Sequence, residues 1–201
     1  LAAQLAALDA DPDADAVYSD YERATEDGKR LDVFTSRQAS NREMLHAMAS
    51  ATGLISMQTM LIRKSALERL GGFSEDRALT GLDDGEFFAR LIASGARLVH
   101  VPGLYARWVS HAGNYSRQAG FNEARLTLLS RLSELAGVYP MLTPELKFFR
   151  THAHYMRGLF FLEGGRPCPA MPEFAAALRA WPFNLGAWYL LVKSALLSAA
   201  G

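Results

Sequence analysis

The sequence predicts a partial α/β domain with a mixed sheet, followed by a region made only of helices. Short apolar runs alternate with helical patterns up to about residue 118, and only helical patterns follow Gly120. Strands and helices that alternate with short connections are typical of an α/β layer. We therefore expect an α/β part over residues 1–118 and a helical region over residues 119–201.

The first segments predict a helix, a strand and a turn. Leucines recur at helical spacing over Leu1–Leu8 and are followed by a loop that contains Pro12. Ala16–Ser19 is a short apolar run, which is typical of a buried strand. Glu22–Arg30 is polar and contains Asp27-Gly28, a pair that suits a hairpin tip, so we expect this segment at the surface.

The middle of the chain predicts a helix, a strand and a second helix. The pattern is helical over Asn41–Ala51, and Ser56–Arg63 is rich in Met and Ile, which favours a strand. A short helix follows over Lys64–Leu70. Gly71-Gly72 ends it, because glycine adopts the left-handed conformation that terminates helices without steric cost.

A further helix and strand complete the α/β part. Leu82–Ser94 has apolar residues at helical spacing, with Gly95 as its stop, and Leu98–Val101 is a strand that we expect to end at Pro102-Gly103. Three candidate strands make too small a sheet to be stable alone. We therefore expect that a partner half of the domain is missing from this chain.

Successive helical patterns make up the rest of the chain. They cover Phe121–Leu135, Pro144–Glu163, Met171–Ala180 and Leu185–Ala199. Their rhythm is similar to the helix pairs of tetratricopeptide arrays. With barely one and a half such repeats, we expect packing rather than peptide binding, and association between copies of the chain is a further role open to this tail.

Composition excludes some classes of function. Half of the residues are hydrophobic and 21% are charged, which is ordinary for a globular chain. Lys plus Arg equals Asp plus Glu at 21 each, so the chain has no overall charge to attract nucleic acid. No apolar run reaches the roughly 18 residues that a membrane span needs. The single cysteine, Cys168, fits a reducing compartment, so we expect a protein that is cytoplasmic or peripheral to the inner face of the membrane.

Three segments carry a family resemblance. The first is Val17–Asp20; the second joins Thr59–Lys64, Gly71–Glu75 and Leu82–Arg90; the third contains Tyr105–Arg107, His111, Asn114 and Ser116. In order and spacing they resemble the acceptor-side half of family 2 glycosyltransferases, which have the GT-A fold, over about residues 1–116. Asp83 stands where that family usually has Glu, and Gly85 stands at a variable place.

The resemblance implies an enzyme that transfers a sugar from a nucleotide-diphospho-sugar donor to a hydroxyl of a glycan, lipid-linked or protein acceptor. In an inverting transfer the acceptor hydroxyl loses a proton as it attacks, and a carboxylate within hydrogen-bond reach accepts it. Asp84 is our candidate for this base, and the structural alternative is that Asp83 and Asp84 only cap the helix. Its place in a first helical turn is favoured by the helix dipole and by free backbone amides, which we expect to keep it ionised.

Other residues have supporting roles under this hypothesis. Asp83, Glu86 and Gln58 are candidates for binding the acceptor. His111, Arg90, Arg107 and Ser116 are candidates for the surroundings of the donor diphosphate or its metal. For Arg90 a structural ion pair is an equal alternative, His111 can also be a plain surface residue, and Arg107 and Ser116 can simply fix the loop that follows the strand.

The resemblance also implies a divalent metal, Mg²⁺ or Mn²⁺, in the full-length enzyme, with His111 as a candidate ligand. The family binds this metal through an Asp-x-Asp motif that precedes the first helix of this chain. Asp9-Ala10-Asp11 and Asp11-Pro12-Asp13 follow that helix, so we reject both. We expect the donor half upstream of Leu1, and an isolated chain that is inactive and holds no metal.

Two other classes of function remain. A helical interaction module on a non-catalytic scaffold would use the tail rather than Asp84. A hydrolase with an Asp/His pair is weaker, since the sequence has no nucleophile-elbow or His-Glu-x-x-His motif. His152 and His154 have no acidic neighbour at metal-ligand spacing, so we interpret them as ordinary helix residues.

Overall fold

The protein is a mixed α/β structure that is 58% helical, with a four-stranded sheet and a helical C-terminal stretch. The computed structural model describes residues 1–52, 55–111, 113–114 and 119–199. Among these, no helix combines the length and apolar character that crossing a bilayer requires.

The helices and strands follow one another in an order close to the predicted one. The α/β part contains α1 (Ala2–Ala10), β1 (Ala16–Thr25), β2 (Arg30–Phe34), α2 (Asn41–Ala49), β3 (Leu61–Ile62), α3 (Lys64–Arg69), α4 (Asp83–Ala93) and β4 (Leu98–Ser110). The C-terminal stretch contains α5 (Ala119–Leu135), α6 (Leu146–Glu163), α7 (Pro167–Ala180) and α8 (Leu185–Ala199).

Strand β1 is the centre of the sheet, because β2, β3 and β4 all pair with it. β4 runs parallel to β1 along one edge, from the Ala16 and Leu98 pair to the Thr25 and Ser110 pair. β2 and β3 run antiparallel to β1 and share its other edge. Gly28, at a φ of 85°, lies in the predicted turn between β1 and β2.

Two strands are longer than the sequence predicts. β1 continues from Ser19 to Thr25, so Glu22 is buried within the sheet rather than at the surface. β4 continues past Pro102-Gly103 to Ser110, with register shifts at this point. Proline is tolerated here because β4 pairs only with β1 among the described residues and the pairing is irregular there.

The predicted strand over Ser56–Arg63 is wrong in most of its length. Met57–Thr59 forms a turn of 3₁₀ helix, and only Leu61–Ile62 pairs with β1. Backbone bonds from the Thr59 N–H to the Ser56 carbonyl and from the Met60 N–H to the Met57 carbonyl close this turn. The segment that is rich in Met and Ile therefore begins with a tight turn beside the sheet, and only its end is a strand.

One apolar core joins the sheet to helices on both sides of residue 118. Tyr18 of β1, Phe87 and Leu91 of α4, and Leu132 of α5 are fully buried in it. Burial of these large apolar side chains is the main source of stability in such a layer. Helix α4 therefore packs on the sheet face that carries Tyr18.

The last helices pack through small residues. A methyl group added at Gly158 of α6 would meet the ring of Phe174 of α7 at 2.6 Å, so glycine permits this close approach. The clusters between α6, α7 and α8 are smaller than the main core; their buried members are Ala170, Phe174, Leu190, Ala177, Leu178 and Ala187. Helix pairing is consistent with the predicted tail, and its relation to tetratricopeptide repeats stays a prediction.

Candidate active site at the start of helix α4

The start of α4 concentrates negative charge. Asp83, Asp84 and Glu86 all lie in its first turn. The chain enters the helix through Gly81, at a φ of 83°, and the Asp83 carboxylate accepts a hydrogen bond from the Gly81 N–H at 3.2 Å. Acidic side chains are favoured here by the helix dipole, so the helix begins where the sequence predicts.

Asp84 is partly buried beside this turn. Its Oδ1 accepts a hydrogen bond from the Gly85 N–H at 2.6 Å. Burial raises the pKa of its carboxyl, the Gly85 N–H opposes that shift, and the charge of Asp83 adds to it. The net direction is opposite to the one expected from the dipole and amides alone, because desolvation outweighs them.

Glu86 and Arg90 form an ion pair with each other inside the protein. The Arg90 guanidinium makes two bonds of 2.7 Å to the Glu86 carboxylate and also donates to the carbonyls of Leu70 and Gly72. Both side chains are nearly enclosed, at 12% and 4% exposure. The ion-pair alternative describes Arg90 in this structure, and the pair fixes α4 to the Gly71-Gly72 turn.

Asp20, in the first of the three segments that carry the resemblance, anchors three parts of the chain. Its carboxylate accepts bonds from the N–H groups of Ser36 at 2.8 Å and Gly103 at 3.1 Å, and lies 2.9 Å from His100 Nε2. Burial alone would raise the pKa of Asp20, but these three partners together lower it. The residue holds the irregular part of β4 against the segment after β2.

Arg107 lies in a charge cluster on the sheet. Its Nε donates to Glu22 Oε1 at 2.6 Å, and Arg30 Nε donates to Glu22 Oε2 at 2.5 Å. Arg107 and then Arg30 hold the pKa of Glu22 below its usual value. The cluster ties β1, β2 and β4 together, which explains how a glutamate can be buried in β1.

The remaining candidates are His111, Gln58 and Ser116. His111 is exposed, and its backbone N–H donates to Asn114 Oδ1 at 2.6 Å. Gln58 is exposed on the 3₁₀ turn, beside a groove lined by Tyr21 and Trp108. Ser116 lies outside the described residues. In the parts of the chain that the structure describes, no three His, Cys, Asp or Glu side chains are grouped so as to hold a metal.

The rejected Asp-x-Asp motifs lie at the end of α1. Asp11 pairs with Arg97, whose guanidinium is 2.7 Å from its carboxylate, and this partner lowers the pKa of Asp11. Asp11 therefore joins the end of α1 to the segment that leads into β4.

Besides His100, two histidines have carboxylate partners that the sequence did not reveal. His154 Nδ1 of α6 lies 2.7 Å from Glu173 of α7, a partner 19 residues away in the sequence. His46 Nδ1 lies 2.9 Å from Glu145, and its Nε2 lies 3.4 Å from the Ser50 hydroxyl. The N–H groups of Ala51 and Thr52 beside Ser50 are bonded to helix carbonyls, so they do not offer an oxyanion site for hydrolysis.

Sequence reasoning missed the groove beside Gln58. Its aromatic residues come from three strands, and the register pairs Tyr21 with Phe34 and Arg23 with Trp108. Alternation of Tyr21 and Arg23 along one face was the available signal. The predicted end of the strand at Ser19 concealed it.

A comparison of the chain with models of known protein families finds no match, and neither does a comparison with curated proteins. Only the residues and their geometry therefore bear on the function of this chain.

Proposed function

We propose that the chain is the acceptor-side part of a glycosyltransferase similar to family 2 enzymes, with Asp84 as the general base of an inverting transfer. The observation that carries this proposal is the partly buried Asp84 carboxyl at the start of α4, whose pKa is raised by burial. Perturbed carboxyls of this kind concentrate at functional sites. A raised pKa makes the ionised group a stronger proton acceptor.

The chemistry uses one carboxylate oxygen of Asp84. Oδ1 is bound to the Gly85 N–H, which leaves Oδ2 to accept the proton of the acceptor hydroxyl. The hydroxyl oxygen bonds to the anomeric carbon as the bond from that carbon to the diphosphate oxygen breaks, and the diphosphate leaves with the electron pair. Inversion follows because the base and the leaving group are on opposite faces of the sugar.

The neighbours of Asp84 have distinct roles in this proposal. One oxygen of the Asp83 carboxylate accepts a hydrogen bond from the Gly81 N–H, and the other can accept hydrogen bonds from acceptor hydroxyls. The pair of Glu86 and Arg90 positions the helix rather than touching the acceptor, because its polar atoms are bonded within the protein. A divalent cation would neutralise the departing diphosphate. His111 is the residue of this chain that we propose near it, and the described residues supply no complete metal site.

Mutation of the base in the complete polypeptide that carries this chain tests the proposal. The assay measures release of nucleoside diphosphate from a panel of nucleotide sugars, with Mn²⁺ and mixed glycan acceptors. We expect turnover by the wild type, and a fall in kcat of at least about a hundredfold for Asp84→Asn. Full turnover by Asp84→Asn would overturn the proposal, and so would a wild type that turns over none of the donors.

Asp76→Asn is the matched control. Asp76 caps a short 3₁₀ turn by accepting from the Ala78 N–H at 2.9 Å, and it is exposed. The same change in charge at this position should leave kcat unchanged. Thermal unfolding of both variants separates loss of catalysis from loss of folding.

A second function is favoured by the surface of α8. The helix leaves Leu185, Tyr189, Val192 and Leu196 between 56% and 80% exposed. Their spacing of three to four residues places them on one side of the helix, and a continuous exposed apolar face is typical of an interaction surface. We propose that copies of the chain associate through this face.

A further inference from the structure

A shallow groove of about 270 Å³ lies on the sheet, apart from the start of α4. Tyr18 lies in the core shared with α4, whereas Tyr21 and Arg23 lie an odd number of residues further along β1 and so face the other side. Strands and the 3₁₀ turn supply the lining. It consists of Tyr21, Arg23, Phe34, Ser56, Gln58 and Trp108.

Flat aromatic surfaces dominate this groove. The rings of Tyr21 and Phe34 stack in parallel, with centroids 4.6 Å apart and planes 6° from each other. The Arg23 guanidinium carbon lies 5.8 Å from the centroid of the Trp108 ring. All three aromatic residues are partly buried, so they offer ring surface to a ligand while the sheet fixes their positions.

The polar groups of the groove suit an uncharged ligand. Arg23 is paired with Asp32, which compensates its charge. The Nε of Arg23 is buried and has no hydrogen-bond partner in the described part of the chain. The exposed Gln58 amide adds a donor and an acceptor, and Ser56 adds a hydroxyl. The exposed part of the Arg23 side chain, rather than this enclosed nitrogen, is the part that a ligand can reach.

We propose that this groove binds one neutral hexopyranose ring of a glycan. The C–H face of a pyranose is apolar and packs on an aromatic ring, while its hydroxyls lie at the rim, where Arg23 and Gln58 can bond them. The volume is close to the lower limit of about 300 Å³ for ligand pockets, so it suits a single ring rather than a whole oligosaccharide.

The choice of a glycan as the ligand rests on the proposed function, whereas the groove itself does not. Because the groove faces away from α4, the ring it holds is not the ring whose hydroxyl meets Asp84. It is a unit further along the acceptor chain. The groove therefore anchors a long acceptor and favours extended glycans over single sugars.

Direct binding to this chain tests the inference without any need for turnover. The probes are cellotetraose, mannotetraose and β-1,4-galactotetraose, followed by saturation-transfer NMR and isothermal titration. We expect at least one to bind with a Kd of about 1 mM. Trp108→Ala should weaken that binding at least about tenfold, and Trp108→Phe should retain most of it.

Trp188→Ala is the control, because Trp188 is a half-exposed tryptophan on α8. It should leave binding unchanged. Absence of binding by all three tetrasaccharides, equal loss in Trp188→Ala, or binding of uridine in place of the saccharides would overturn the inference. Binding is measured without a donor and turnover with one, so failure of the catalytic proposal and failure of this one give different results.

Discussion

The sheet layer and the last two helices are packed in different ways. The layer buries large side chains such as Tyr18, Phe87 and Leu132 completely. Helices α7 and α8 bury one large ring, Phe174, where α6 comes close at Gly158, together with alanines and two leucines, and α8 leaves other large apolar side chains in solvent. Stability therefore resides mainly in the layer that positions Asp84, while the tail has apolar surface to offer to a partner.

Truncating the core should have the largest effect of those we consider. Phe87 is fully buried in α4, and its ring centroid lies 4.6 Å from that of Phe73. Phe87→Ala should lower the free energy of unfolding by about 3–5 kcal/mol, because it removes apolar contacts and leaves a cavity. Chemical denaturation measures this value.

Phe183→Ala is the contrasting change, since Phe183 precedes α8 and is 75% exposed. We expect it to alter the free energy of unfolding by no more than about 0.5 kcal/mol. If both substitutions cost the same, the contrast between the two regions is wrong.

Local signals predicted much of this layer. Helix α4 was found because its apolar spacing, acidic first turn and Gly95 stop all lie within one segment. The turn at Asp27-Gly28 was found for the same reason. The burial of Glu22 was not predicted, because its partner Arg107 is 85 residues away and only the sheet brings the two residues together. The extent of β1 depends on such distant pairings.

The candidate site also combines features that the sequence predicts with features that depend on distant contacts. The pair of Glu86 and Arg90 has the spacing of four that helices favour, so its ion-pair alternative could be stated in advance. The raised pKa of Asp84 could not, because it depends on burial by surrounding helices. A methyl group on the neighbouring Gly85 would lie 3.7 Å from Met48 of α2 and from Leu128 of α5.

As the pH falls, protonation of a histidine in the helical region should lower the free energy of unfolding before protonation of the sheet carboxylates does. Burial, with a smaller effect of the Arg125 charge, lowers the pKa of His152 in α6 from 6.5 to about 4. In the unfolded chain His152 therefore binds a proton near pH 6.5, whereas in the folded chain it binds that proton only near pH 4. Stability present above pH 6.5 is lost as the pH falls towards 4, by about 3 kcal/mol.

Carboxylates of the sheet respond at lower pH. The pKa values of Asp20 and Glu22 are lowered in the folded chain, so their contribution is lost only as the pH falls below the ordinary values for these residues. Denaturation between pH 7.5 and 4.5 measures the His152 effect. His152→Gln should flatten the dependence, and His111→Gln, at an exposed position, should not.

The smallest effect on stability should come from the exposed face of α8. Tyr189 and Leu196 are 66% and 67% exposed, so the double substitution Tyr189→Glu with Leu196→Glu removes little packing within one chain. We expect the free energy of unfolding of the monomer to change by about 0.5 kcal/mol or less. Association should change much more, because two charges would be buried wherever two copies meet through this face.

Sedimentation velocity over a range of protein concentrations separates these two quantities. The wild type should form dimers as the concentration rises, and the double variant should remain monomeric. Val138→Glu is the control, since Val138 is 68% exposed but lies outside α8, and it should dimerise like the wild type. A wild type that stays monomeric, or a double variant that still dimerises, would show that the apolar face of α8 does not join two copies. The contrast in packing between the layer and the tail would then stand without the second function proposed for the tail.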